Sequence, residues 1–428
     1  MYIYNTKNNM EKVLIITYYW PPSAGAGVHR WLKFSKYLSE YGYRPIIYTP
    51  NNFDYSLKDK TLELPNIEVI RKPIFDPGHY FQNFFNLKLS QGLLEDNKGF
   101  FEKVSTWIRG NIFIPDSKIF WVNPSFEYLK KFLDKNKVRL VITTGPPHSM
   151  HLIGLKLKKT LNIKWIADFR DPMSNWDVIN DFKPLKHSIK KIKSIEKSIL
   201  KNSDIILVTN DNLAKEFSEE VNEDKIKVID NGTDFSFMSN VKYDKSFKIS
   251  YLGSLHKFRD PKIFFEILKE LINSNDGIRK NLKLYIAGPI TKSILNRLSE
   301  DDILSRYLTY KSYIPNEETF KHYIESSLLL LLSNKDSITQ TPSKIYDYAS
   351  SGRRVLTLGK KNKPLDFLLK DLSLDKRIDY DDKDSIKKII LKSYDDFKKN
   401  KNPIKRKNLF KYKRKFLTKK LSEILYKI

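Results

Sequence analysis

Short apolar runs separated by helical repeats set the rhythm of the chain. Val13 to Thr17 (VLIIT) is followed by a glycine-containing turn and by apolar positions at helical spacing from Val28 to Tyr41, which predicts strand, loop and helix. Further runs at Pro45 to Thr49, Asn66 to Arg71, Val138 to Thr143, Lys164 to Ala167, Asp204 to Val208 and Ile226 to Ile229 predict strands, with helical segments between most of them. Strands that are apolar throughout are those buried on both faces. Their alternation with helices predicts an α/β architecture, an open parallel sheet covered on both sides.

Turn chemistry at Asn231, Gly232 and Thr233 and the polar stretch up to Lys248 interrupt this rhythm, so one domain is expected over residues 1–235 and a second over 236–400. The second repeats the scheme, with strands expected at Ile249 to Leu252, Leu282 to Ala287, Leu308 to Lys311, Ser327 to Leu332, Arg354 to Leu358 and Arg377 to Tyr380. The expected fold is two tandem Rossmann-like, doubly wound domains facing across a cleft, with ligands beyond the carboxyl ends of the strands. Two regions depart from the pattern. Residues 79–121 are aromatic and irregular, which predicts a helical insertion that is either an acceptor platform or a satellite core. Residues 401–428 predict a docked basic helix, since Phe410, Phe416, Leu417, Leu421, Ile424 and Leu425 recur at helical spacing.

Charge and composition narrow the classes. The 428 residues carry 77 Lys plus Arg against 50 Asp plus Glu, a formal +27, and hydrophobic residues make up 40%, enough for packed cores. The stretch from Lys398 to Lys420 alone has twelve Lys or Arg and no acid. Such a surplus attracts nucleic acid or anionic lipid, and an AT-rich genome also produces it through Lys, Asn and Ile usage. No cysteine is present, which excludes disulfides, thiolate metal sites and a Cys nucleophile and points to a cytoplasmic location. No apolar run approaches the ~20 residues of a spanning helix. Residues Met1 to Asn9 lack the apolar core of a secretory signal, and Met10 is read as an alternative start.

Four loops carry candidate chemistry. Trp20 to Arg30 (WPPSAGAGVHR) places Gly25 and Gly27 at a helix start, where bare backbone N–H groups favour an anion; a plain strand-to-helix turn uses glycines in the same way. In Tyr251 to Pro261 (YLGSLHKFRDP), Gly253 permits close approach, and Arg259 with Lys257 can clamp a diphosphate or be solvated. In Thr339 to Gly352 (TQTPSKIYDYASSG), Pro342 and Gly352 bracket a short helix on which Lys344 and Asp347 share a face, as a ligand site or a surface ion pair. The fourth is Thr143 to His151 (TTGPPHSMH) with Ala167 to Pro172 (ADFRDP), where His148, His151, Asp168, Arg170 and Asp171 follow strand ends. Their spacing matches no standard zinc pattern, so no metal is expected. Asp382 to Asp384 (DKD) reads as a helix cap rather than an acidic metal motif.

Taken in order, YYWPPSAGAGVHRWLKFSKYL, TTGPPHSMHLIGLKLKK, WIADFRDP, NGTD, YLGSLHKFRDP and TPSKIYDYASSGRRVL resemble the family-4 glycosyltransferases of the GT-B fold, in the bacterial branch that builds surface polysaccharides. The resemblance implies an acceptor-side first domain and a second domain that holds the nucleotide sugar. It implies that Gly25, Gly27 and Gly253 face the donor diphosphate and sugar, that Arg259 and Lys344 neutralise the diphosphate, and that Asp347, in place of the family's second Glu, binds the ribose. Thr339 stands where the pattern has its first Glu, eight residues before Asp347, a departure at the donor-sugar position. His148, or else His151, matches the family's cleft histidine, so His148, Arg259 and Lys344 are the expected catalytic residues. The implied reaction moves a hexose-type sugar to a polysaccharide or lipid-linked acceptor, with retention and without a metal or other cofactor.

Two other classes compete. A sugar-nucleotide 2-epimerase of the same fold would place acid and base carboxylates in the sugar pocket, and Thr339 argues against that. A non-enzymatic nucleic-acid-binding protein would line exposed aromatics and cations along one face, which the nucleotide-sugar loops do not suggest, so no nucleic-acid partner is expected. A peripheral position at the inner membrane face is a separate expectation. Leu185, Ile189, Ile192 and Ile199 form a stripe among the lysines of Lys183 to Lys201, which either rests on an anionic leaflet or packs on the sheet.

Overall fold

The computed structural model describes residues 10–51, 58–75, 100–175, 179–239, 241–335 and 341–428. The described residues fall into two compact units, one containing those up to Asn231 together with Arg414–Ile428, the other Gly232–Lys413. The first unit runs β1 (Glu11–Ile16), α1 (Ala26–Leu38), β2 (Tyr43–Pro50), β3 (Glu68–Lys72), α2 (Phe100–Asn111), α3 (Val122–Asn136), β4 (Leu140–Gly145), α4 (Ser149–Thr160), β5 (Lys164–Phe169), α5 (Lys186–Asn202), β6 (Ile205–Val208), α6 (Asp211–Ser218) and β7 (Ile226–Val228). The second runs β8 (Phe247–Leu252), α7 (Lys262–Ser274), α8 (Asp276–Asn281), β9 (Leu282–Ala287), α9 (Lys292–Ser299), β10 (Leu308–Lys311), α10 (Asn316–Glu325), β11 (Leu328–Leu332), α11 (Lys344–Ser351), β12 (Arg354–Leu358), α12 (Lys363–Asp371) and α13 (Lys383–Lys398). The closing helix α14 (Arg414–Tyr426) belongs to the first unit.

Both sheets are parallel and doubly wound, in the orders β3-β2-β1-β4-β5-β6-β7 and β10-β9-β8-β11-β12. In each, the order reverses beside the unit's first strand, between β1 and β4 and between β8 and β11, the crevice where such sheets take ligands. Strand alternation assigns the two faces. Leu14 and Ile16 pack with Val141, Trp165, Ala167 and Ile206 on one side. Val13 and Ile15 pack on the other with Trp31 and Leu32 of α1 and with Leu417, Leu421 and Leu425 of α14.

Differences from the sequence pattern are local. Arg377 to Tyr380 is not a strand: it touches β12 at the single bridge Leu358–Ile378, and its aspartate-rich sequel turns at once to cap α13, where Asp382 accepts from the Ser385 N–H at 3.0 Å. The tail becomes the helix α14 only at Arg414, preceded by a short 3-10 turn at Leu409–Tyr412. Residues 79–99 of the aromatic insertion lie outside the described residues, and its remainder divides between core and surface. Trp121 is buried, stacked 4.9 Å from Tyr48 and donating to the Pro73 carbonyl at 3.0 Å, whereas Phe120 is exposed.

One buried ion pair ties the first unit together. Asp168, at the end of β5, accepts from Arg30 Nη2 at 2.8 Å and Nε at 3.3 Å, from Trp31 Nε1 at 2.7 Å and from Thr144 Oγ1 at 2.8 Å. Arg30 Nη1 also donates to the carbonyls of Ile229 and Asp230, at 2.8 and 2.9 Å. Asp168 is thus a fully committed core residue, not the open cleft carboxylate expected from its place at a strand end. Removing one partner of such a pair strands the other charge in the core, so Asp168→Ala should cost about 3–5 kcal/mol. Chemical denaturation measures this; a loss under about 1 kcal/mol would contradict the anchoring role.

Candidate active site

At the first unit's reversal point, the loop after β1 leads into α1 through Gly25, whose φ of +100° suits only glycine. The first turn of α1 holds no acidic side chain. Gly27 is small for a reason the pattern did not reveal: a Cβ there would lie 2.5 Å from Arg170 Nη1. Arg170 continues from β5, donates from Nε to the Gly145 carbonyl at 3.2 Å and from Nη2 to the Pro146 carbonyl, and so sets its guanidinium against the opening of α1. Burial lowers its pKa, partly offset by Asp171 and Asp168. Asp171 itself is half-buried. A helix start and a guanidinium converge here, an arrangement that favours negative charge.

His148 and His151 stand behind this locus at the end of β4. A Cβ on Gly145 would lie 2.7 Å from His151 Nε2 and 2.8 Å from His148 Nδ1, so glycine gives both rings their room. His151 is fully enclosed and stacks on Phe169 at 4.3 Å, while His148 is 5% exposed. Burial holds both neutral: it pulls His151 down to about 3 with help from Arg170, and takes His148 well below the usual imidazole value with help from His151 and Arg170. The tautomer of His151 follows from its neighbours. The Trp165 indole, which can only donate, gives its proton to Thr143 Oγ1 at 2.9 Å, and that hydroxyl lies 2.8 Å from His151 Nδ1. Thr143 uses both its acceptor and its donor when its own proton goes to Nδ1, an arrangement that expects the hydrogen of His151 on Nε2.

Asp116 went unnoticed in the sequence. Its carboxylate accepts from the Ser149 N–H at 2.9 Å and the Ser149 hydroxyl at 2.7 Å, capping the α4 helix that carries the histidines, and from the Lys118 N–H at 3.0 Å. The Pro-Asp-Ser triplet at 115–117 was the available signal, but nothing in the sequence showed which helix it caps.

At the second unit's reversal point, the loops after β8 and β11 are joined. Arg259 donates from Nε to Asn334 Oδ1 at 2.5 Å, and the Lys335 N–H bonds the Phe258 carbonyl at 2.7 Å. Lys344 opens α11, and a Cβ on Gly253 would lie 2.7 Å from its Nζ, so the ammonium lies directly over the Gly253 backbone. Burial and then the charge of Arg259 pull Lys344 down to about 8, with Asp347, three residues along the same helix, acting in the opposite sense. Gly352, at φ +71°, closes the helix as expected. Lys257 is exposed, its Nζ lying 4.9 Å from the Phe258 ring centroid. Thr339 lies outside the described residues.

The structure thus brings Arg259, Lys344, Gly253 and Asp347 together in one unit and Gly25, Gly27, Arg170, His148 and His151 in the other. Among the described residues no three His, Asp or Glu side chains gather as a metal site. The tautomer is testable. In nitrogen–proton correlation spectra, His151 should show a bare Nδ1 and a protonated Nε2, preserved in Thr143→Ser and lost in Thr143→Val. A protonated Nδ1 in the unaltered protein contradicts the relay.

No family model matches the chain, and no curated protein matches it in sequence. Solved structures match over nearly its whole length. Sucrose-phosphate synthase from Thermosynechococcus elongatus aligns with a TM-score of 0.62 at 13% identity, covering 97% of this chain and 98% of that one. The HepE protein of Anabaena, solved in complex with UDP-glucose, gives 0.62 at 9%, covering 97% and 100%. WaaG, a glycosyltransferase involved in lipopolysaccharide biosynthesis, gives 0.59 at 11%, covering 96% and 99%. At these identities the likeness speaks to architecture, and together with the two doubly wound parallel sheets it identifies the chain as a protein of the GT-B fold.

Proposed function

We propose that the protein is a glycosyltransferase that moves a hexose-type sugar from a nucleotide-diphosphate sugar to a polysaccharide or lipid-linked acceptor, with retention and without a metal. The observation that carries this proposal is the pair of cations at the second unit's reversal point. Lys344 lies over Gly253, Arg259 lowers the pKa of Lys344 through its charge, and Asp347 follows along the same helix. A lysine and an arginine close enough for the guanidinium to lower the lysine's pKa suit a ligand with two or more negative charges. HepE, of the same fold, was solved with UDP-glucose.

The chemistry asks for little else. As the bond from the anomeric carbon to the diphosphate breaks, negative charge grows on the leaving oxygen, and Lys344 and Arg259 stabilise it. The acceptor oxygen forms the new bond at that carbon, and the departing diphosphate takes the acceptor's proton. In this proposal Asp347 holds the ribose hydroxyls, and His148, held neutral by burial, is the catalytic histidine of the first unit. Removing Lys344 or Arg259 should cost ~10²–10³ in turnover, the usual loss for a donor aimed at developing charge. A protein without cysteine suits a reducing compartment, and the proposed site of action is the cytoplasmic face of a membrane that carries the acceptor.

The direct test incubates the protein with a panel of nucleotide sugars and follows its melting temperature and the products. One donor should stabilise the protein, Arg259→Ala and Asp347→Ala should remove that response, and added acceptor should consume the donor. Conversion of the donor to its C2 epimer without acceptor would instead identify an epimerase, and unchanged donor binding in both variants would refute the site. A pH dependence follows as well. The free Lys344 amine loses its proton above about pH 8, whereas a bound diphosphate favours the charged form. Affinity for UDP should therefore fall as pH rises through that value, by up to about tenfold per unit. Calorimetry on the unaltered protein and on Lys344→Arg, which keeps its charge, checks this; parallel profiles would contradict it.

A further inference from the structure

An arginine gives up much rotamer freedom when its fork is fixed on a ligand, so a site that uses one gains from a partner that fixes it beforehand. Arg259 has such a partner. It stands in the short 3-10 turn Lys257–Arg259 after β8, and its Nε donates to Asn334 Oδ1 at 2.5 Å. Nε can only donate, so the bond also fixes which way the Asn334 amide faces. The guanidinium lies beside the Tyr251 phenol as well, whose own proton goes to the Ser254 carbonyl at 2.7 Å.

Asn334 is itself held in place. It is 6% exposed, and the residues on either side of it are fastened to different parts of the unit. Ser333 prolongs β11 by donating its N–H to the Leu358 carbonyl at 2.9 Å, and its own carbonyl accepts from the Tyr380 hydroxyl at 2.7 Å. Lys335 donates its N–H to the carbonyl of Phe258, the residue before Arg259, and sets its Nζ 4.8 Å from the Tyr380 ring centroid. The loops after β8 and β11 therefore meet twice, through the backbone at Phe258 and through the side chain of Arg259. Tyr380, from the segment before α13, supports the second loop at that meeting.

The chemistry of the partner matters as much as its place. A carboxylate at position 334 would accept the same hydrogen bond and cancel the charge of the guanidinium. A neutral amide leaves that charge whole, and its bond to Nε commits only one of the five N–H groups. We propose that Asn334 is a positioning residue for a nucleotide diphosphate, fixing the fork of Arg259 beside Lys344 without neutralising it. The proposal rests on the reading of this site as the donor site.

The test has an arm without ligand and an arm with inorganic pyrophosphate, which carries the diphosphate without a base. In nitrogen–proton spectra of the free protein, the Arg259 Nε–H is identified by its absence in Arg259→Lys. It should exchange with solvent at least about tenfold faster in Asn334→Ala and stay protected in Asn334→Asp. By calorimetry, Asn334→Ala should weaken pyrophosphate binding on the order of tenfold, and should cost nothing further when added to Arg259→Ala. The pH above which affinity falls should also move upward in Asn334→Ala, because a released guanidinium no longer lowers the Lys344 pKa. Asn334→Asp, which keeps the hydrogen bond but adds a negative charge, should bind pyrophosphate at least as weakly as Asn334→Ala. Should Asn334→Ala fail to fold, Asn334→Asp decides alone: a protected Nε–H with weakened binding supports the role, and binding equal to the parent overturns it. Unchanged protection in Asn334→Ala, or losses that add in the double variant, would overturn the role of Asn334 and leave the donor site standing. Pyrophosphate binding that is absent, or equal in the parent and Arg259→Ala, would refute the diphosphate site and the positioning role with it.

Discussion

The buried carboxylate of Asp168 is the constraint on which the first unit's geometry depends. It accepts from Arg30, Trp31 and Thr144, and so fixes α1, β4 and β5 against one another; Arg30 in turn holds the carbonyls at Ile229 and Asp230, the last turn before the chain passes to the second unit. An ion pair of this burial needs all its hydrogen bonds to offset the loss of water, and this one has them. Strand alternation then distributes the chemistry. Ile166 and Asp168 face α1, whereas Ala167 and Phe169 face the other layer, where Phe169 stacks on His151. Arg170 leaves the end of the strand with its guanidinium set against Gly27.

The second unit solves a related problem by different means. It crowds its cations together. Gly253 leaves room for Lys344, and the backbone of Gly253 is itself approached so closely by Gly288, at φ +121°, that no side chain fits there. Lys344 loses hydration and lies near Arg259, so its ammonium form is held at a cost, partly offset by Asp347. The two units therefore concentrate positive charge in distinct ways, the first with a helix start and an arginine held by carbonyls, the second with a lysine set near an arginine.

Much of the fold was legible because parallel strands buried on both faces leave continuous apolar runs, as at Val13 to Ile16 and Leu328 to Leu332. Glycine and proline punctuation marked the loops at Gly25 and Gly352, and the cap at Asp382 was readable from three residues. What the pattern missed is of another kind. Arg30 and Asp168 are 138 residues apart, and Asp116 caps a helix 33 residues away, so neither role has a local signature. Asp168 at a strand end looked like a cleft carboxylate because position was visible and partners were not. The stripe on α5 was real, but an amphipathic pattern does not say which neighbour takes it, and Ile192, Ile199 and Leu200 are buried in the core of the first unit. Arg377 to Tyr380 has the composition of a strand and too little length before the aspartates that start α13.

The central claim is that the second unit's reversal point holds a nucleotide diphosphate between Lys344 and Arg259. A crystal structure with an uncleavable nucleotide-sugar analogue tests it most directly. The account predicts diphosphate oxygens within hydrogen-bond distance of Lys344 Nζ and the Arg259 guanidinium, with the ribose hydroxyls on Asp347. A nucleotide bound elsewhere, with Lys344 still lying over an unoccupied Gly253 loop, would contradict it.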